Sequence, residues 1–206
     1  MAYGLLAHDM VERYLMHWFG MSAHTYTRGS WTTPEATHPD RDVGSTDYVA
    51  AGVHTAPTYL KWALVFEEPN SRTVWLGKAL PRGWLAPDTA PVVVERAPTR
   101  YGRVGYSLKA ETSAEHAAAN GAASYRVRAN VTLPASFVGA GAPPGGLRLR
   151  LRAPVALVGK MASVAVGGKP WAKFDAKAET VDFAKSELTS ALREALGRGV
   201  VAEWSA

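Results

Sequence analysis

A chain of 206 residues, 47% hydrophobic and 20% charged, is long enough to bury a hydrophobic core and falls between one large domain and one domain with an attached segment. It holds no cysteine, which excludes disulfides, thiolate metal sites and a cysteine nucleophile. The net charge of +5 is unevenly spread: residues 1–68 carry four basic side chains against eight acidic ones, so the positive excess lies wholly downstream.

Leu5, Leu6, Met10, Val11, Tyr14, Leu15, Trp18 and Phe19 recur at three- and four-residue steps, which predicts an amphipathic helix over residues 1–22. His8, Asp9, Glu12, Arg13 and His17 interrupt it, so it does not read as a secretory signal. The chain contains no run of about 18 apolar residues, and no membrane partner is expected. Residues 23–58 are rich in Thr, Pro, His, Asp and aromatic side chains without regular periodicity, and read as a long ordered loop. From residue 59 to 183 the period becomes two. Strands are predicted near residues 60–67, 73–78, 92–97, 102–110, 125–133, 147–151, 162–166, 171–175 and 180–183, with turn signals such as Glu68-Pro69-Asn70 and Gly167-Gly168 between them. Short strands without helical crossovers predict a mainly β fold, an antiparallel β-sandwich.

Within that region the cations alternate with apolar residues, as in Tyr125-Arg126-Val127-Arg128 and Leu147-Arg148-Leu149-Arg150-Leu151-Arg152. This is the pattern of a sheet with one solvated face, and with no lysine run or recognised module no nucleic-acid partner is expected. Residues 114–123 read as a hairpin loop and 138–146 as a Gly/Pro connector. Leu188, Leu192 and Leu196, followed by Gly197 and Gly199, predict a short C-terminal helix within a segment 184–206 read as helix and tail.

Chemistry is concentrated between His24 and Asp42. Carboxylates, an arginine and aromatic rings occur together there, the groups that stack on the apolar face of a pyranose and fork onto its hydroxyls. Glu35 is the candidate catalytic carboxylate, with Asp40 or Asp42 as a second one for acid and base work. Tyr26, Arg28, Trp31, His38 and Asp40 are candidate substrate ligands, Arg28 orienting Glu35 and Trp31 or Tyr26 offering a stacking platform. Each has a structural alternative: Glu35 as a loop brace, Arg28 as its ion-pair partner, Trp31 as a packing anchor. His24, His38 and His54 lack any tight ligand spacing such as HxH or HExxH, so no metal and no cofactor is expected. Gly102-Arg103-Val104-Gly105 sits in a strand pattern and is no dinucleotide fingerprint.

The segment from His24 to Glu35 resembles the end of the (α/α) toroid of six-hairpin glycosidase-like proteins. Trp75-Leu76-Gly77-Lys78-Ala79-Leu80-Pro81-Arg82-Gly83-Trp84-Leu85, Ala97-Pro98-Thr99-Arg100-Tyr101-Gly102-Arg103-Val104 and Val164-Ala165-Val166-Gly167-Gly168-Lys169-Pro170-Trp171 are similar to the C-terminal β-domain of that family. The resemblance implies the C-terminal portion of a glycoside hydrolase-like, carbohydrate-active enzyme. Its partners would be a carbohydrate and a missing N-terminal catalytic domain of the same protein, and the helix 1–22 would be a remnant of the toroid. Residues 24–48 would line the rim of an active site built elsewhere, and the chain alone would be inactive. A toroid needs many more helices than the one read here. Two other readings stand beside it: a non-catalytic carbohydrate-binding or domain-docking sandwich, and an interaction protein that uses its apolar N-terminal helix.

Overall fold

The computed structural model describes residues 1–25, 49, 53–113 and 124–205, and the chain divides into two units, Met1–Leu64 and Val65–Ala206. In the first unit the apolar stretch from Leu5 to Phe19 forms two helices, α1 (Ala2–Ala7) and α2 (Val11–Thr25). The break falls where Asp9 takes φ +56, a left-handed conformation that no helix continues through and that Asp tolerates better than most residues. Ala2 and Leu6 of α1 are buried, as are Val11, Tyr14, Leu15 and Trp18 of α2, while Met16 and Phe19 stay exposed.

A third helix, α3 (Thr55–Leu64), packs on α2 and corrects the strand reading for residues 60–64. Pro57 falls in its first turn, where a missing N–H costs nothing, and so does not oppose it. Only Val65–Glu67 of that predicted strand is extended, as β1.

The second unit is the mainly β part, with two antiparallel-rich sheets as in the sandwich reading. One sheet runs β1–β2–β6–β10–β9, with β2 (Val74–Leu76), β6 (Leu147–Arg150), β9 (Phe174–Asp175) and β10 (Thr180–Phe183). Its β2–β6 pair is parallel, whereas its other pairs are antiparallel. The other runs β3–β4–β5–β11–β7–β8, with β3 (Val92–Thr99), β4 (Gly102–Ser113), β5 (Ser124–Thr132), β7 (Met161–Val166), β8 (Lys169–Pro170) and β11 (Val200–Trp204).

Side chains alternate as the period of two demands. Val74, Leu76, Leu147, Leu149, Val181 and Phe183 from the first sheet are buried, as are Val104, Tyr106, Leu108, Val127, Ala129 and Val131 from the second. Residues 114–123, read as a loop, lie outside the described residues.

The C-terminal helix, α4, spans Ser190–Arg198, later than the leucine spacing suggested because residues 185–187 form a separate 3₁₀ turn. Thr189 caps it by accepting a hydrogen bond from Leu192 N at 3.2 Å, and Gly199 at φ +136 ends it. The residues beyond are no tail: β11 is inserted between β5 and β7 and pairs antiparallel with both.

Candidate functional site

Tyr26, Arg28, Trp31, Glu35, His38 and Asp40 lie outside the described residues, as does Asp42. The structure therefore describes the two ends of their segment. The chain leaves α2 at Thr25 and enters α3 at Thr55, and these two helices carry a cluster of rings.

Positions 14, 17, 18 and 21 share one face of α2, and 59 and 62 share one face of α3, because both sets repeat at three and four residues. The Tyr59 ring lies 5.7 Å from Trp62 and stacked on it, 6.0 Å from Tyr14 and 5.8 Å from His17. Tyr3 of α1 meets the edge of Trp62 at 5.2 Å. The Tyr14 hydroxyl donates to the Tyr59 carbonyl at 2.5 Å, and the Tyr59 hydroxyl lies 3.4 Å from His17 Nε2 and 3.6 Å from the Met21 sulfur.

Desolvation pushes the Tyr14 hydroxyl above the usual phenol range, with Tyr59 adding to it, and raises Tyr59 as well. Both stay protonated at neutral pH and act as donors. Tyr3, His17, Tyr59 and Trp62 are half-buried, so this helical unit offers ring faces and hydroxyl groups at the points where the candidate segment departs and returns. Ring faces and hydroxyl groups are the chemistry that stacks on and hydrogen-bonds to flat, polar-edged groups in general.

The second cluster belongs to the sandwich unit, and spacing along the chain gave no sign of it. Arg150 and Arg152, expected on a solvated face, are 5% and 2% exposed. They are covered because their guanidinium groups serve the residue 77–85 segment: Arg150 Nη1 donates to the Lys78 carbonyl at 3.2 Å, and Arg152 Nη1 to the Leu80 carbonyl at 2.7 Å. Arg82 of that segment meets Glu179 in a two-point ion pair at 2.9 and 2.8 Å and also donates to the Ala153 carbonyl. Glu179, 3% exposed and at φ +57, accepts the Ala153 N–H besides. Tyr125 closes the end of the segment by donating to the Leu85 carbonyl at 2.6 Å.

Beside it, Trp75 gathers cations. Lys78 Nζ stands 3.5 Å from its ring centroid, and the guanidinium carbons of Arg148 and Arg150 stand 4.6 and 4.9 Å away. Its indole N–H points to Glu68, while Arg148 pairs with Asp182. The Glu179 carboxylate, held by two guanidinium nitrogens and a backbone N–H, braces the segment. The stretch 75–85 that carries the family resemblance is thus an anchored, fold-bearing segment.

Among the described residues no three His, Asp or Glu side chains are placed to hold a metal ion, and no helix is long and apolar enough to cross a membrane. Comparison with protein-family models, with curated proteins and with solved structures finds no match to this chain.

Proposed function

We propose that the chain is the C-terminal portion of a glycoside hydrolase-like, carbohydrate-active enzyme in which residues 24–48 contribute to a sugar-binding cleft. On this reading Glu35 is the catalytic carboxylate and Arg28 orients it. Tyr26 and Trp31 stack on the sugar, and His38 and Asp40 hold its hydroxyls. The partners are a carbohydrate and an N-terminal catalytic domain of the same protein, without which the chain does not turn over substrate.

The observation that carries the reading is the ring cluster of Tyr3, Tyr14, His17, Tyr59 and Trp62 on the helices that flank this segment. It puts aromatic rings and hydroxyl groups on the helices that precede and follow the segment in the chain, groups of the kind a sugar cleft uses. The order of a helical unit followed by a two-sheet unit agrees with the order the resemblance implies.

A second reading, a non-catalytic carbohydrate-binding or domain-docking sandwich, draws on a different fact. Glu68, Glu179, Asp182 and Glu203 of the sandwich unit are each engaged by a neighbouring side chain, which favours structural duty for them.

Calorimetric titration of the chain with a panel of neutral and acidic oligosaccharides tests the proposal. Binding to at least one glycan is expected, weakened about tenfold or more by Trp31→Ala, since an aromatic anchor contributes on that scale. No hydrolysis is expected from the chain alone. Failure of every glycan to bind, or hydrolysis by the isolated chain that survives Glu35→Gln, would overturn the proposal.

A further inference from the structure

The turn of the β7–β8 hairpin rests directly on α4. Gly167 at its corner has φ +57, and a Cβ there would fall 2.8 Å from the Ala195 Cβ, a distance no real side chain tolerates. Beside this contact a groove of about 450 Å³ opens between hairpin and helix, lined by Lys169, Pro170, Trp171, Glu187, Thr189 and Arg198 among others. That volume lies in the range of small-molecule sites.

Its aromatic wall is fixed. The Trp171 ring packs 5.2 Å from Phe183, and its indole N–H donates to the Asp182 carbonyl at 3.2 Å, so the half-buried ring is held in one orientation. The Thr189 hydroxyl accepts the Leu192 N–H as the cap of α4, which leaves its own proton available to a guest.

The charges do not balance. Glu187 is matched by Lys173 at 2.7 Å and also accepts the Ala184 N–H at 2.8 Å. Lys169 and Arg198 make no ion pair among the described residues, and both are exposed. The groove therefore presents two uncompensated cations beside a fixed indole and a free hydroxyl proton. Cations alone suit any anion, whereas the ring and hydroxyl add the means to hold a flat-faced, hydroxyl-bearing guest.

We propose that this groove is a carbohydrate site that takes an acidic sugar, with Trp171 stacking on the pyranose and Lys169 and Arg198 holding its carboxylate. The choice of a sugar rests on the carbohydrate reading given above, while the choice of an acidic one rests on the unpaired charges alone. The site lies in the sandwich unit and uses none of residues 24–48.

Calorimetry with the full chain, a uronate tetrasaccharide and a neutral tetrasaccharide of the same linkage provides the test, with poly-glutamate as a third probe. The acidic sugar is expected to bind more tightly than the neutral one, and Lys169→Ala with Arg198→Ala is expected to weaken it about tenfold or more. Added salt should weaken it too, because both cations are solvent-facing. Trp171→Phe should lower affinity for the sugar and leave binding of poly-glutamate unchanged. Circular dichroism would check that the variants fold, which the exposure of both cations favours.

Equal binding of the neutral sugar, or full binding by the double variant, overturns the proposal. Equal binding of poly-glutamate with no effect of Trp171→Phe would make the groove a general anion surface and also overturn it. Trp31→Ala separates the two ideas, since it should weaken glycan binding by residues 24–48 without touching the acidic-sugar response of Lys169 and Arg198. If no glycan of any kind binds, both fall together.

Discussion

Strands β5 and β6 carry almost the same alternation, Tyr-Arg-Val-Arg in one and Leu-Arg-Leu-Arg in the other, yet only the second of them ends in buried arginines, Arg148 of β6 staying partly open beside Asp182. On β5, Arg128 faces solvent and Arg126 pairs with Glu203 of the adjacent β11 in a partly open setting. At the end of β6, Arg150 and the following Arg152 are buried, each donating to a carbonyl of residues 77–85. Alternation states which side chains share a face. Whether that face is wet depends on what lies over it. Arginine suits both situations, because its five donors satisfy backbone carbonyls in the interior as readily as carboxylates at the surface.

The sharpest way to break the comparison is to open the buried side. Glu179→Ala would leave the Arg82 guanidinium and the Ala153 N–H without their carboxylate beneath the 77–85 segment. Removing one member of a buried ion pair costs about 3–5 kcal/mol, since an uncompensated charge is left behind. Urea unfolding of the full chain should register that loss. Glu179→Gln, which keeps an acceptor and drops the charge, should recover part of it. A loss below about 1 kcal/mol for Glu179→Ala, the level of a surface pair, would mean that the brace does not support the segment.

Tyr125 sits where the two regimes meet, at the start of β5 with its hydroxyl on the Leu85 carbonyl. Tyr125→Phe leaves that acceptor unsatisfied and should cost about 1–2 kcal/mol at neutral pH. Burial first, then the Glu179 charge, hold this hydroxyl above the usual phenol range, with Arg82 pulling the other way. A raised folded value favours the neutral form. Its stabilisation is complete below the unfolded value near about pH 10 and is lost as pH rises beyond it. The stability gap between wild type and Tyr125→Phe should therefore be constant from pH 7 to 9 and narrow above about pH 10. A gap that widens in alkali would contradict the assignment.

Local rules made some of this legible and could not reach the rest. The buried sets Leu147, Leu149, Leu151 and Val127, Ala129, Val131 follow from a period of two, and Tyr14, Leu15 and Trp18 from helical spacing. The strand reading of residues 60–64 fails because Leu64 and Val65 pass from helix to strand with no turn residue between them, and apolar content alone does not separate the two. Val200–Trp204 follows Gly199 as a short run near the chain end. Its place between β5 and β7 depends on partners 34 to 79 residues away, beyond any local pattern. Arg82 and Glu179 stand 97 positions apart, and nothing in their spacing announces the pair. Of the candidate site, residue chemistry singles out the segment with Glu35, while the ring cluster depends on α3 being a helix.

The exposed side of the comparison predicts the smallest effect. Arg126 and Glu203 meet at 2.7 Å with side chains 24% and 39% exposed, so water screens their attraction. Arg126→Ala should cost about 0.5 kcal/mol, and Arg128→Ala should stay within about 0.5 kcal/mol of zero. A double-mutant cycle of Arg126→Ala with Glu203→Ala isolates the pair from whatever the arginine stem covers on the sheet. Its coupling should shrink further in 1 M salt, whereas the cost of Glu179→Ala should move less, because the Glu179 carboxylate is only 4% exposed. If both effects respond equally to salt, the Arg126–Glu203 pair and the Arg82–Glu179 pair share one environment, and the contrast between a wet face and a covered one fails.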